Sequence, residues 1–302
     1  MATEQLRWGV SPLCWTNDVL EDLGGDIPLD TCLREAREAG YQGIELGRKF
    51  PRQASTLGPL LAAADLRLAS GWYSGMLADR SVEAELEAVR EHAQLLRQLG
   101  AKVMVYGECG QLPGETPLDE PISLSPPLSR VSLAAYCHKL NTFADLLLRD
   151  YDLQLAYHHH LMMLVEHDDE LERFLSHTHD NVGLAFDTGH AFVAGVEIPR
   201  VLHKYGHRIR HLHLKDVRPQ VLGRLYRENL SFNEAVRAGL FTIPGDGCID
   251  YAPILDFVRD SDYRGWLIIE AEQDPPLATA SRAYAWLAHH LSSPSSSEEY
   301  AS

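Results

Sequence analysis

The chain has 302 residues, with 27 Lys and Arg against 43 Asp and Glu, so its formal net charge is −16. Its 45% apolar and 23% charged residues fit a globular protein with a large core, and no Lys/Arg cluster offers a landing site for nucleic acid or an anionic membrane. No stretch reaches the roughly 18 uninterrupted apolar residues of a membrane span, and MATEQLRWGV does not read as a leader, so a soluble cytoplasmic protein is expected, with neither nucleic acid nor membrane as partner.

In chain order, short β-rich apolar runs occur at 7–15, 41–47, 66–75, 101–108, 153–160, 181–190, 209–216 and 265–274. Helical patterns lie between them at 29–40, 81–100, 132–150, 168–177 and 276–291, with Ser81 placed as an N-cap and Gly40 and Gly100 as stops. Strands alternating with helices predict parallel βαβ units. Eight such runs predict a (β/α)8 barrel, and no glycine-rich phosphate loop follows the first run, as an open doubly wound sheet would show. One domain is expected over 1–292, with 293–302 a disordered polar tail. Two long connections, 110–130 and 218–250, follow strand C-termini and are expected to act as lids.

The polar residues concentrate where a barrel keeps its chemistry. The fifth run ends in Tyr157-His158-His159-His160, the sixth in Asp187-Thr188-Gly189-His190, the seventh in His211-Leu212-His213-Leu214-Lys215-Asp216 and the eighth in Glu270-Ala271-Glu272. Four successive strands thus offer imidazole and carboxylate to one point, a donor set that suits Mn, Co, Fe or Zn. The five cysteines are scattered and odd in number, which fits reduced thiols. Each piece has a plainer explanation. A His triplet can be a surface loop, Asp187 can simply cap the next helix, and His211, His213 and Lys215 alternate as on any half-exposed strand. The joint pattern favours a metal site.

The segments GVSPLCWTND (9–18), GYQGIELGRKFP (40–51), AYHHH (156–160), FDTGHA (186–191), HLHLKDVRP (211–219), FTIPGDGCIDY (241–251) and GWLIIEAEQDP (265–275) carry a family resemblance. Over nearly its whole length the chain resembles the xylose isomerase-like, or sugar phosphate isomerase/epimerase, barrel superfamily, and within it the inosose dehydratases. That resemblance implies one divalent metal, Mn or Co first with Zn, Fe or Mg also possible, held by Asp187, His213, Glu270 and, at the usual Glu position of the fifth strand, His158, with His160 as its rival. It implies dehydration of 2-keto-myo-inositol (scyllo-inosose), a small cyclic polyol ketone, to a trihydroxycyclohexane-1,2-dione, and homo-oligomer formation in common with related barrels.

By the same analogy His190 is the expected base. Glu270 is a second candidate for proton transfer, and Lys215 for enolate stabilisation or protonation of the leaving group. Asn17, Glu45, Lys49, Trp72, Glu108, His160, Arg218 and Glu272 are expected around the polyol. Leu161-Met162-Met163 departs from the Gly-Thr step usual in inosose dehydratases. Isomerisation or epimerisation of a sugar or inosose, or β-elimination from another keto-sugar, would use the same enediolate chemistry. A DNA-cleaving member of the fold is disfavoured by the −16 charge, and a non-catalytic sugar-binding barrel by the full set of candidate ligands.

Overall fold

A computed structural model describes residues 6–112, 116–124, 132–271 and 276–292. Eight parallel strands close into a barrel: β1 (Arg7–Val10), β2 (Gly43–Leu46), β3 (Arg67–Gly75), β4 (Val103–Glu108), β5 (Gln154–His158), β6 (Val182–Asp187), β7 (Ile209–Leu214) and, after a two-stranded ribbon of β8 (Asp216–Val217) and β9 (Phe241–Thr242), β10 (Trp266–Ile269). Closure is made by β10 pairing β1, from Arg7 opposite Trp266 to Val10 opposite Ile269. Around the barrel lie α1 (Leu29–Glu38), α2 (Ala54–Ala63), α3 (Val82–Gln98), α4 (Leu133–Tyr151), α5 (Asp168–His177), α6 (Thr188–Val193), α7 (Ile198–Tyr205), α8 (Pro219–Glu228), α9 (Phe232–Arg237), α10 (Ala252–Asp260) and α11 (Pro276–Ser292). None of the described helices is long and apolar enough to cross a membrane.

Every predicted run contains a barrel strand; β3 and β4 end with their runs, and the other six strands stop earlier. After β1, Pro12 has no N–H to give a ladder, and Pro12–Cys14 forms a 3-10 turn capped by Ser11. After β6, the Asp187 side chain caps the N-terminus of α6, so the predicted strand 181–190 ends in a helix. The helical patterns hold to within a residue or two. α3 starts on Ser81, whose hydroxyl accepts from Ala84 N at 3.2 Å, with Glu83 and Glu85 facing the positive end of the helix dipole.

The barrel interior is filled in layers. Trp266 and Ile268 pack with Ala69, and Val103, Val105, Ala156 and Ala185 pack with Trp72. Gly43 is required beside Trp266, because a Cβ there would lie 2.5 Å from the indole ring. The expected tail, 293–302, lies outside the described residues, as do 113–115 and 125–131 of the first long connection.

The two long connections meet over the C-terminal mouth of the barrel. Ile122 N donates to Leu230 O at 3.0 Å, and Asn233 Nδ2 to Asp119 Oδ1 at 2.8 Å. Both guanidinium arms of Arg237 reach Asp22 at 2.7 Å, tying α9 to the loop after β1. The second connection is structured by one buried carboxylate. Asp216 accepts from Val217 N, Gly245 N, Gly247 N and Ile249 N, so four backbone donors compensate a buried charge that has no cation partner among the described residues.

Candidate metal centre

Alternation along β5 sends His158 and His160 inward and His159 outward. His158 and His160 line a cavity of about 250 Å³ at the C-terminal mouth, together with Asn17, Glu45, Trp72, His190, His213, Lys215 and Glu270. Asp187 lies buried beneath it. Its Oδ1 accepts from His190 N at 2.8 Å and caps α6. Its Oδ2 makes no hydrogen bond and faces His158 Nε2 at 3.7 Å, His213 Nδ1 at 3.6 Å and Lys215 Nζ at 3.4 Å. The capping role and the site-facing role thus fall on different oxygens of one carboxylate.

His158, Asp187 and His213 each offer a ligand atom, all within 4.8 Å of one another and all buried. His213 Nδ1 also lies 3.1 Å from Glu270 Oε2, again without a hydrogen bond. Unpartnered lone pairs converging in a buried pocket are costly unless a cation satisfies them, so the donor set fits a divalent metal. Glu270 Oε1 is engaged by the buried ammonium of Lys215.

The electrostatics follow from this crowding. Burial pushes the Asp187 carboxyl up, but the Lys215 ammonium outweighs it and holds it well below its usual range. Glu270, likewise raised by burial, is brought down to about 2 by Lys215 and His213. Burial disfavours a charged His213, yet Glu45 and Glu270 hold its pKa well above the usual value; a divalent ion bound at Nδ1 would take the place of the proton there. His190 and His160 go the other way. Burial, reinforced by neighbouring histidines, depresses both, His160 to about 3.

The backbone N–H and carbonyl of Leu161 fix the tautomers of these two rings, whose centroids are 3.8 Å apart. Leu161 N donates to His190 Nδ1 at 3.3 Å, so the neutral His190 ring carries its proton on Nε2. His160 Nδ1 contacts Leu161 O at 2.6 Å and must be the donor, which leaves its Nε2 with a lone pair. In this arrangement the free nitrogen of neutral His190 is a donor and that of His160 an acceptor, while the sequence reading expects His190 as the base.

Of the other residues expected at the polyol, Trp72 lines the cavity with Nε1 on Ser74 Oγ at 2.9 Å. Asn17 also lines it, but its Oδ1 accepts from Val19 N and Leu20 N at 2.8 and 2.6 Å. Three residues are placed elsewhere. Lys49 donates to the carbonyls of Gly25 and Ile27, which holds the loop before α1. Glu108 accepts from Gly110 N and Tyr106 OH at 2.8 and 3.0 Å, and burial raises its carboxyl. Arg218 donates to Gly239 O at 2.9 Å and pairs with Asp246 at the start of α8. Glu272 lies outside the described residues.

Sequence reasoning left Phe232, Asn233 and Val236, which line the cavity from α9, unassigned. No local pattern marks them. Ser70 was also missed, although a hydroxyl inside the apolar run LRLASG is a readable signal. Met162 adopts φ +63, the left-handed backbone usual for glycine, within the Leu161-Met162-Met163 stretch that departs from the Gly-Thr step of the resemblance.

The xylose isomerase-like TIM barrel family matches residues 33–290, most of the closed barrel just described. The chain belongs to the xylose isomerase-like TIM barrel family. Within this family it is 44% identical over 272 residues to the rhizopine catabolism protein MocC of Rhizobium meliloti, covering 89% of this chain and 82% of that protein. It is 37% identical over 278 residues to the inosose dehydratase of Geobacillus thermodenitrificans, covering 91% and 92%. The same xylose isomerase-like fold appears in the probable 3-DHS dehydratase AsbF of Bacillus anthracis, with a TM-score of 0.68 at 15% identity over 93% of this chain and 98% of that one.

His159 provides a test of the burial argument. It is fully buried against Phe186, neither ring nitrogen has a hydrogen-bond partner, and its pKa is pushed down to about 3 by burial and then by His158. Between the usual unfolded value near 6.5 and about 3, the unfolded chain binds one proton more at this position, so stability falls as pH falls, by up to about 1.4 kcal/mol per pH unit. His159→Phe is expected to remove that contribution. Denaturant unfolding at pH 7 and pH 5 should show a smaller acid loss in the variant than in the parent; an equal loss contradicts the assignment.

Proposed function

We propose that this chain is an inosose dehydratase, a hydro-lyase that removes water from scyllo-inosose to give a trihydroxycyclohexane-1,2-dione. The observation that carries the reading is 37% identity across 91% of the chain to an inosose dehydratase, and the convergence of His158, Asp187 and His213 supports it. Mn or Co is the proposed metal, held by these three with Glu270. A divalent ion bound there supplies Lewis-acid polarisation of a ketone.

The chain's own groups supply the proton handling. His160 Nε2 is the lone pair available to accept the proton next to the ketone, with the ring held by the Leu161 carbonyl. His190 Nε2–H stays neutral and donates a hydrogen bond to a substrate oxygen, because full proton transfer would leave an imidazolate. As the carbon–oxygen bond to the β-hydroxyl breaks, the leaving oxygen takes a proton from Lys215 Nζ, which Glu270 and Asp187 hold in place. Trp72 and Phe232 supply apolar walls that limit water at the ring.

None of the described cysteines is joined in a disulfide, which supports the proposal of a reducing, cytoplasmic location. The test is incubation of purified protein with scyllo-inosose and Mn²⁺ or Co²⁺. The expected result is the ultraviolet absorbance of a conjugated dione and a product lighter by one water. A product of unchanged mass would assign an isomerase or epimerase instead.

A further inference from the structure

Glu45, at the C-terminal end of β2, is expected from sequence to touch the polyol, but its oxygen Oε1 is already committed. It accepts from Ser70 Oγ, from His211 Nε2 at 2.8 Å and from His213 Nε2 at 3.1 Å. All four residues are buried. Glu45, His211 and His213 could in principle surround an ion. Their separations, with a single oxygen shared by three donors, are instead those of direct hydrogen bonds and leave no space for one.

An imidazole that donates through Nε2 presents its lone pair at Nδ1. In His213 that nitrogen points away from Glu45, toward Glu270 Oε2 at 3.1 Å and Asp187 Oδ2 at 3.6 Å. A carboxylate behind a ligating histidine fixes its tautomer and ring plane and raises its basicity. We propose that Glu45 is a positioning residue of the metal centre. It orients His213 for coordination through Nδ1, while Ser70 and His211 hold the Glu45 carboxylate. His211 therefore serves the centre without being a ligand.

This inference rests on the reading that His158, Asp187 and His213 bind a divalent ion. The test measures Mn²⁺ affinity of metal-stripped protein by competition with a chromophoric chelator, independently of turnover. Glu45→Gln should weaken Mn²⁺ binding by about 10- to 100-fold, and it should alter the visible absorption of the Co²⁺-loaded protein. At saturating Mn²⁺ it should lower kcat for scyllo-inosose more than it changes KM, with Glu45→Asp recovering part of both losses. His211→Gln should move the affinity in the same direction by less.

Parent-like Mn²⁺ affinity in Glu45→Gln, with a raised KM, would overturn the proposal and make Glu45 a substrate contact. If circular dichroism shows that Glu45→Gln does not fold, parent-like affinity in both Glu45→Asp and His211→Gln overturns it equally. A parent protein that binds no Mn²⁺ also overturns it. A parent that binds Mn²⁺ but does not dehydrate scyllo-inosose overturns the dehydratase reading alone.

Discussion

Asp187→Asn is expected to abolish stoichiometric Mn²⁺ binding and to lower kcat/KM by on the order of 10³-fold, the equivalent of several kcal/mol of lost charge stabilisation. The substitution separates the two tasks of this side chain. Asn caps helices about as well as Asp, so Oδ1 can keep its bond to His190 N at 2.8 Å and α6 should persist. What disappears is the charge on Oδ2, which faces His158, His213 and Lys215. Volume is conserved and Lys215 retains Glu270, so the fold should survive. Metal content by elemental analysis and steady-state turnover check this. A variant with the parent's metal content and turnover would remove Asp187 from the centre.

The second large effect is expected at His160. His160→Gln should lower kcat by about 10²- to 10⁴-fold, the usual worth of a general base. His190→Gln should cost less, because an amide can replace a neutral Nε2–H donor. The assignment is stereoelectronic: Leu161 O orders a proton onto His160 Nδ1, and Leu161 N withholds one from His190 Nδ1. Exchange of the substrate's α-proton in deuterium oxide distinguishes the two roles directly. Exchange should be lost in His160→Gln and retained, more slowly, in His190→Gln. The reverse order would restore His190 as the base.

Much of this architecture is readable in the linear sequence because it depends on local periodicity. The eight apolar runs and the Ser81 cap are such features, and each finds its element in the structure. The departures are local competitions that the apolar pattern hides. Pro12 ends β1 by lacking a donor, and Asp187 starts a helix where hydrophobicity alone continues a strand. The α2 helix escapes because Pro59 and a nearly unbroken apolar sequence blur its period. The helices α8 and α9 sit inside a segment read only as a long connection, and they bring Phe232 and Asn233 over the cavity.

The sequence by itself determined which strands exist, their order and which side chains stand at their C-terminal ends facing inward. These properties follow from a period of two and from the rule that barrel strands run parallel. They suffice to bring His158, Asp187 and His213 together. The tertiary structure alone decided what each polar group is bonded to. Glu45 reaches His211 and His213 across the closed barrel, 166 and 168 residues away in sequence, whereas Lys49, only four residues beyond Glu45, turns to loop carbonyls instead. Hydrogen-bond partners are set by distances across the closed barrel rather than along the chain, so a carboxylate's residue type could not tell a substrate contact from the anchor of a ligand. The proton positions on His160 and His190 follow the same rule, since they depend on whether each ring meets the N–H or the carbonyl of Leu161.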